Sequence, residues 1–351
     1  MSKPGIDIIV PVWNKPLQTR SCLVNLIAHS ADFRLILISN GSDRETENLL
    51  EEFAEQLDDR ALLISSAVNL GFVRAVNIGL ARVEAEFAAV VRNTSLVPDR
   101  WLDPIIALAH SRPEAGVIVP RLAPVPVRKR RYRSNPPVVT IEVSHGDFAA
   151  TVLRKSLYDR IGGFDEGMDD GFWCLKDYSR RALKAGFLTF AAEGKPVLYS
   201  EDTPLGAAAR REDRLRRSID GFTAQWGEES AFCIYFPREV DVDLLRQKLD
   251  ILLEGARQGH SFTLLVFQPA YKELVRSGYG SLHRNIRIEK LPRLFTDRSA
   301  ERLEASLRAE APMLRTVAGV EGCRFPGSVE SIPFAEVEQL VRRAEAEKYG
   351  R

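Results

Sequence analysis

Four short polar segments carry the residue types able to hold a phosphorylated ligand. They read Pro11-Val12-Trp13-Asn14, Ser39-Asn40-Gly41-Ser42-Asp43, Asn69-Leu70-Gly71-Phe72 running on to Arg74, Asn77 and Gly79, and Arg92-Asn93-Thr94-Ser95. Small residues expose backbone N–H groups and arginine adds positive charge, a combination suited to a nucleoside diphosphate. Asn40, Gly41, Asn69 and Gly71 equally suit tight turns, so a purely geometric role stands beside the binding one. Downstream, His145 next to Gly146 and Asp147 can touch a ligand or be a hydrogen-bonded structural histidine. Trp13 and Trp173 offer faces to a base or sugar, with packing as the competing role. Cys174 has no neighbouring histidine or metal motif to activate a thiolate.

Each polar segment follows a run that reads as a buried strand: Ile6 to Val10, Leu35 to Ile38, Leu62 to Ser65 and Phe87 to Val91. Helices are predicted between them. The first starts at Pro16 and turns Leu17, Leu23, Val24 and Ile27 inward. The second opens on a Ser42/Glu45 capping box before Leu49, Phe53 and Leu57, and the third carries Val76 and Leu80. This alternation predicts an α/β fold with a mostly parallel sheet covered by helices on both faces. Ligands of such sheets lie beyond the carboxyl ends of the strands, where all four polar segments fall.

A chain of 351 residues with 45% apolar content accommodates two domains, expected at 1–230 and 231–351. In the second, Phe232 to Phe236 and Phe262 to Phe267 read as strands, and helices are expected over Asp241 to Glu254, Ala300 to Ala311 and Phe334 to Lys348. This part reads as a small α/β unit without a nucleotide loop, metal cluster or nucleophile. A net charge of +1 argues against nucleic acid as a partner. Cys22, Cys174, Cys233 and Cys323 lack Cys-x-x-Cys spacing, so reduced thiols are expected. No apolar stretch approaches the ~20 residues that span a bilayer, and a cytoplasmic protein is expected, with attachment to the inner membrane surface as an option.

The chain resembles the family 2 glycosyltransferases of the GT-A fold from about Ile6 to about Gly227. The resemblance is carried by the opening strand with Asn14, Asn40-Gly41-Ser42, Asn69-Leu70-Gly71-Phe72 with Asn77 and Gly79, and Leu96-Val97-Pro98 with Trp101-Leu102. It continues through His145-Gly146, Val152-Leu153-Arg154-Lys155, Ile161-Gly162-Gly163-Phe164-Asp165-Glu166 and Ala185-Gly186-Phe187. It implies a nucleoside diphosphate sugar as donor and a hydroxyl acceptor, with Pro11, Trp13, Asn14, Ser39, Asn40, Asn69, Gly71, Arg74, Arg92, Asn93, Thr94 and His145 around the donor. No other cofactor is expected.

The family's metal-binding, nucleoside-binding and catalytic residues are replaced at four aligned sites. The metal-binding end of its Asp motif falls on Thr94, the acid contacting the nucleoside near Ser39, the acid pair containing the catalytic base on Cys174 and Leu175, and the late metal-ligating histidine on Ser200. Asp99, the nearest acid to Thr94, is expected to cap the following helix. Without those carboxylates no metal site is assigned. Asp170, through a slipped loop, and Asp177, matching a second acid of the motif, are the remaining candidate bases. Two readings follow: a transferase that uses cations such as Arg74 and Arg92 in place of metal, or an inactive domain that binds a nucleotide, glycan or protein. The basic run Arg128 to Arg133 suits an anionic lipid or lipid-linked acceptor, or is a solvated loop. Arg210, Arg211, Arg214, Arg216 and Arg217 suit a lid over pyrophosphate or a salt-bridged helix face. Oligomeric state is not specified.

Overall fold

The strands predicted from unbroken apolar runs form the centre of a two-faced core. The structure, a computed structural model, describes residues 5–125, 140–169, 172–200, 208–294, 296–327 and 330–349. Asp170 and the basic run from Arg128 to Arg133 lie outside the described residues. The chain forms two units: 1–140 with 145–227, and 141–144 with 228–351.

In the first unit β1 (Ile6–Val12), β2 (Phe33–Asn40), β3 (Ala61–Ser66) and β4 (Phe87–Val91) alternate with α1 (Pro16–His29), α2 (Arg44–Leu57) and α3 (Phe72–Leu80). Then come β5 (Ser95–Leu96), α4 (Asp103–Ser111), β6 (Ala115–Val119) and β7 (Leu122–Val125); the short strand β8 (Ile141–Glu142) belongs to the second unit. The first unit finishes with β9 (Ala150–Arg154), α5 (Lys155–Ile161), α6 (Trp173–Lys184), β10 (Leu188–Ala191), β11 (Val197–Ser200) and α7 (Ala208–Trp226). Its main strands run in the order β3-β2-β1-β4-β9-β6-β10. The pairs β3-β2, β2-β1, β1-β4 and β6-β10 are parallel, whereas β9 is antiparallel to both neighbours.

Alternate residues of each strand feed opposite cores, which is why the strands read as continuous apolar runs. Ile8, Val10, Leu35 and Leu37 pack with Cys22, Leu23 and Leu26 of α1, Leu49 and Phe53 of α2, and Ile105 of α4. Ile9, Ile36 and Ile38 pack with Val73, Val76 and Leu80 of α3, Tyr178 of α6 and Phe222 of α7. The sheet is thus helix-covered on both faces, as expected.

Three local expectations are corrected. Leu17 and Val24 of α1 are 75% and 53% exposed; they share a stripe seven residues apart, but the buried face is Thr19, Cys22, Leu23 and Leu26. The cap of α2 is Asp43, which accepts from Thr46 N at 2.9 Å, because Ser42 is used between loops. Asp99 does not cap α4; its carboxylate lies 3.7 Å from His29 Nδ1.

The second unit contains β12 (Ala231–Tyr235), α8 (Val242–Arg257), β13 (Ser261–Phe267), α9 (Gln268–Arg276), β14 (Ile286–Leu291), α10 (Thr296–Glu310), β15 (Arg315–Ala318), β16 (Ile332–Pro333) and α11 (Phe334–Tyr349). Its sheet is wholly parallel, in the order β14-β13-β12-β15-β16. Leu245, Leu249 and Leu252 of α8 are fully buried, in line with their predicted stripe. The segment 141–144 belongs to this unit, and Glu142 receives Arg257 Nε and Nη2, each at 2.8 Å. Asp241 caps α8 itself, accepting from Asp243 N and Leu244 N, so that helix start is not open to a phosphate. A groove of about 530 Å³ follows β15, lined by Cys323, Arg324 and Glu330 among others. No helix among the described residues is long and apolar enough to cross a membrane.

Candidate functional site

The four polar segments do gather at the carboxyl edge of the sheet, but most of their side chains are spent on holding one another. Asn14 and Lys15 both adopt positive φ, 55° and 62°, a conformation Asn tolerates better than most residues. In this turn Asn14 Oδ1 accepts Asp43 N–H at 2.8 Å and Asn14 N–H reaches Ser42 Oγ at 3.2 Å. Ser42 Oγ donates in turn to Val12 O, so the loops after β1 and β2 form one piece.

The loops after β2 and β3 are clasped as tightly. Asn40 Nδ2 donates to Asn69 Oδ1 and to Gly71 O, each at 3.1 Å, while Asn40 Oδ1 accepts Leu70 N–H at 2.9 Å. Asn69 Oδ1 also accepts Gly71 N–H at 2.9 Å. Gly41 has φ +68°, and a Cβ there would run into the backbone of Val68 and Asn69. Only glycine fits this crossing at low cost. From Phe72 the chain of contacts passes to β4: the Arg92 guanidinium lies over the Phe72 ring, 5.4 Å from its centroid, and Phe72 packs on Phe148. Asn93 Nδ2 donates to Thr19 Oγ1 of α1 at 2.9 Å, a buried bond.

Other expected donor-site residues separate into rim and interior. Trp13 is 42% exposed at the end of β1, whereas Pro11 is buried in the strand opposite Ile38. Ser39 is buried, and its hydroxyl has no hydrogen-bond partner among the described residues. Arg74 is exposed, with Nε 3.8 Å from Glu166 Oε2. His145 Nδ1 lies 2.7 Å from Gly146 O, and its ring packs on half-exposed Phe172 with centroids 5.3 Å apart. Trp173 packs on Phe222 instead of offering a free face. On α7, Arg216 pairs with Glu212 one turn away.

The two positions aligned with metal ligands meet in space. Ser200 N–H donates to Thr94 O and Thr94 Oγ1 donates to Ser200 O, both at 3.3 Å. Residues 106 apart in sequence therefore occupy one locus, and their side chains offer it only neutral hydroxyl oxygens. A catalytic Mg²⁺ or Mn²⁺ calls for charged carboxylate oxygens, and among the described residues no three His, Cys, Asp or Glu side chains converge as a metal site. Thr94 and Ser200 by themselves do not fit the divalent cation that the family implies.

Asp177 is placed inside. It is 1% exposed, Oδ1 accepts the Trp226 indole N–H at 2.9 Å and Oδ2 accepts Arg181 Nε at 2.8 Å. Arg181 also donates to Ile161 O and Gly163 O. Asp177 is thus a buried strut joining α6, the end of α7 and the loop after α5, with neither oxygen presented to an acceptor. Cys174 and Leu175 are also buried, at 1% and 2%. Sequence reasoning passed over Asp169, whose Oδ1 accepts Val73 N–H at the start of α3, 3.1 Å away. Its proximity to Asp170 was the only signal.

Burial pushes the thiols of Cys22, Cys174 and Cys233 up to about 12; at Cys174 the nearby Asp169 charge adds to the effect. These thiols stay protonated and unreactive at neutral pH. Iodoacetamide at pH 8 is expected to alkylate Cys323, which is partly exposed, while the other three react only after unfolding. Peptide mass spectrometry with and without urea checks this, and rapid native labelling of Cys174 would contradict it.

A largely parallel α/β sheet carries its clasped strand-end loops at the carboxyl edge, where ligands of such sheets lie. Residues 7–178 match the family model described as Glycosyl transferase family 2. The chain is 27% identical over 244 residues to the O-antigen biosynthesis protein RfbC of Myxococcus xanthus, covering 60% of this chain and 18% of that protein. It is 28% identical over 104 residues to an uncharacterized glycosyltransferase of Haemophilus influenzae, covering 29% of this chain and 32% of that one. The chain therefore spans under a third of either relative. Among solved structures it is similar to S. aureus TarS 1-349, with a TM-score of 0.45 and 14% identity over 71% of this chain and 79% of that one.

Proposed function

We propose that the first unit transfers a glycosyl group from a nucleoside diphosphate sugar to a hydroxyl of a glycan acceptor, without a divalent cation. The observation that supports this reading is the contact between Thr94 and Ser200, the two positions that the resemblance aligns with metal ligands, where both side chains are neutral hydroxyls. Charge developing on the leaving diphosphate is then met by Arg92, held over Phe72 beside the clasped loops, by Arg74 at the rim, and by backbone N–H groups of those loops. Trp13 and Ser39 border the same edge and suit the nucleoside. The match of residues 7–178 to the family supports the donor class.

Calorimetry of the full chain with uridine, guanosine and thymidine diphosphates, each with Mn²⁺ or with EDTA, tests this. One nucleotide is expected to bind with a Kd that changes less than about twofold between the two conditions. Arg92→Ala is expected to weaken that binding by roughly tenfold or more, the scale of one charge-assisted hydrogen bond of about 1.5–3 kcal/mol. Binding that requires Mn²⁺ would refute metal independence. No binding of any nucleotide would refute the transferase reading and favour an interaction module.

A further inference from the structure

We propose that the exposed ring of Phe172, backed by His145, is the platform on which a pyranose of the glycan acceptor lies, an assignment that rests on the transferase reading above. Among the described residues only two Phe or Trp side chains are exposed, Trp13 at 42% and Phe172 at 51%. Both stand at the carboxyl edge of the first unit's sheet. Trp13 follows β1, and Phe172 packs on the loop that enters β9. That loop reaches the same edge because β9 runs antiparallel to β4: its first residue, Ala150, sits opposite Val91, the last of β4. A single exposed apolar side chain is ordinary; this one is distinguished by its place and by the second ring behind it.

Phe172 is the N-cap residue of α6, and the next residue, Trp173, turns onto Phe222, so the backbone beneath the Phe172 ring is fixed while the ring itself joins neither core of the unit. It meets the His145 ring with centroids 5.3 Å apart and planes 32° from parallel. His145 Nδ1 lies 2.7 Å from Gly146 O. A carbonyl oxygen only accepts, so this nitrogen carries the proton and the imidazole plane is set. The following turn is pinned as well: Thr151 Oγ1 accepts Asp147 N–H at 3.0 Å, and Ala149 O accepts Arg92 N–H at 3.4 Å and Ser95 Oγ–H at 2.7 Å. The two rings are thereby joined to the segment that meets the diphosphate in the reading above.

Strand order separates the two substrates. In that reading Trp13 and Ser39 serve the nucleoside at β1 and β2, and Arg92 serves the diphosphate at the end of β4. β9 is the next strand along, about 10 Å from β1 at ~4.8 Å per strand. A donor extended from Trp13 across Arg92 brings its sugar end, and the acceptor that meets it, to the Phe172 side. The chemistry of the surface matches: one face of a pyranose presents C–H groups that cover an aromatic ring, while the hydroxyls around its rim stay in water or on polar neighbours.

Saturation-transfer NMR of the full chain with cellobiose, maltose, chitobiose and methyl α-rhamnoside, each alone and with uridine, guanosine or thymidine diphosphate, tests this. At least one saccharide is expected to bind, with transfer strongest at its ring C–H protons. Phe172→Ala is expected to weaken that binding by about fivefold or more, with Tm and nucleoside diphosphate affinity retained, and Phe172→Trp to restore it. The platform is overturned if Phe172→Ala binds the saccharide as wild type does, if its loss is matched by a drop in Tm, or if nucleoside diphosphate affinity falls instead, which would make Phe172 a donor contact. Wild-type protein that binds a nucleoside diphosphate but no saccharide also overturns it and leaves the transferase reading standing. Phe172-dependent saccharide binding by a chain that binds no nucleoside diphosphate upholds the glycan site and sinks the transferase reading. If neither class of ligand binds, both fall.

Discussion

Asp177→Ala is expected to cost about 3–5 kcal/mol of unfolding free energy, the range for breaking a buried ion pair from one side. The carboxylate is 1% exposed and answers two donors from different elements, Arg181 Nε on α6 and Trp226 Nε1 on α7. Its removal strands an indole N–H and leaves Arg181 with only the carbonyls of Ile161 and Gly163. Asp177→Asn keeps an oxygen for Trp226 but turns an amide towards Arg181, so a smaller loss of roughly 2 kcal/mol is expected. Urea unfolding measures both. The activity of the folded Asn variant carries the functional consequence: if Asp177 is a strut, turnover per folded molecule stays within a few-fold of wild type. A drop of 10² or more with an intact fold would return Asp177 to the list of candidate bases.

The largest effect away from the site is expected at Asp7, the one charged residue in the apolar run of β1. Asp7 is fully buried, and Arg34 of β2 grips it with Nε at 2.8 Å and Nη2 at 3.1 Å. The same carboxylate accepts the backbone N–H groups of Glu84 and Ala85 at 2.7 and 3.0 Å. It thereby ties β1, β2 and the entry to β4 together at the amino end of the sheet, opposite the functional edge. The Arg34 pKa is raised, chiefly by its hydrogen bond to Asp7, so the guanidinium stays charged across ordinary pH. Asp7→Ala is expected to lose about 3–5 kcal/mol, since it orphans the buried Ala85 N–H, the part-buried Glu84 N–H and a largely buried guanidinium. Adding Arg34→Ala to it should cost much less than Arg34→Ala alone, because the two residues act as a unit. Additive losses in the double mutant would show that the pair is not coupled.

The placement of strands and helices was readable because strands buried on both faces need mostly β-branched or aliphatic residues, and the runs Ile8–Val10, Leu35–Ile38 and Ala88–Val91 supply them. Elements that break this rule escaped. β14 carries Arg287, Glu289 and Lys290 at an edge of its sheet, where one side of the ladder is open and charge is tolerated. Helix α1 offered competing stripes, and only the sheet beneath it selected Cys22, Leu23 and Leu26 over Leu17 and Val24. Of the candidate site, the gathering of the four loops at one edge followed from topology. What their side chains do there was not readable, because Asn40, Asn69 and Asn14 suit turns and ligands equally until their partners are known.

The linear chain by itself determined an alternation of apolar runs and polar loops that resembles family 2 glycosyltransferases, with neutral or apolar residues at Thr94, Cys174, Leu175 and Ser200, since composition and spacing are properties of the string. Tertiary structure alone decided that Thr94 and Ser200 bond to each other, that Asp177 is a strut, and that Asp169 reaches the first turn of α3. Those contacts span 106, 49 and 96 positions. A side chain's chemistry depends on burial and on the donors that face it, and at such separations both are set by how the sheet brings its ends together.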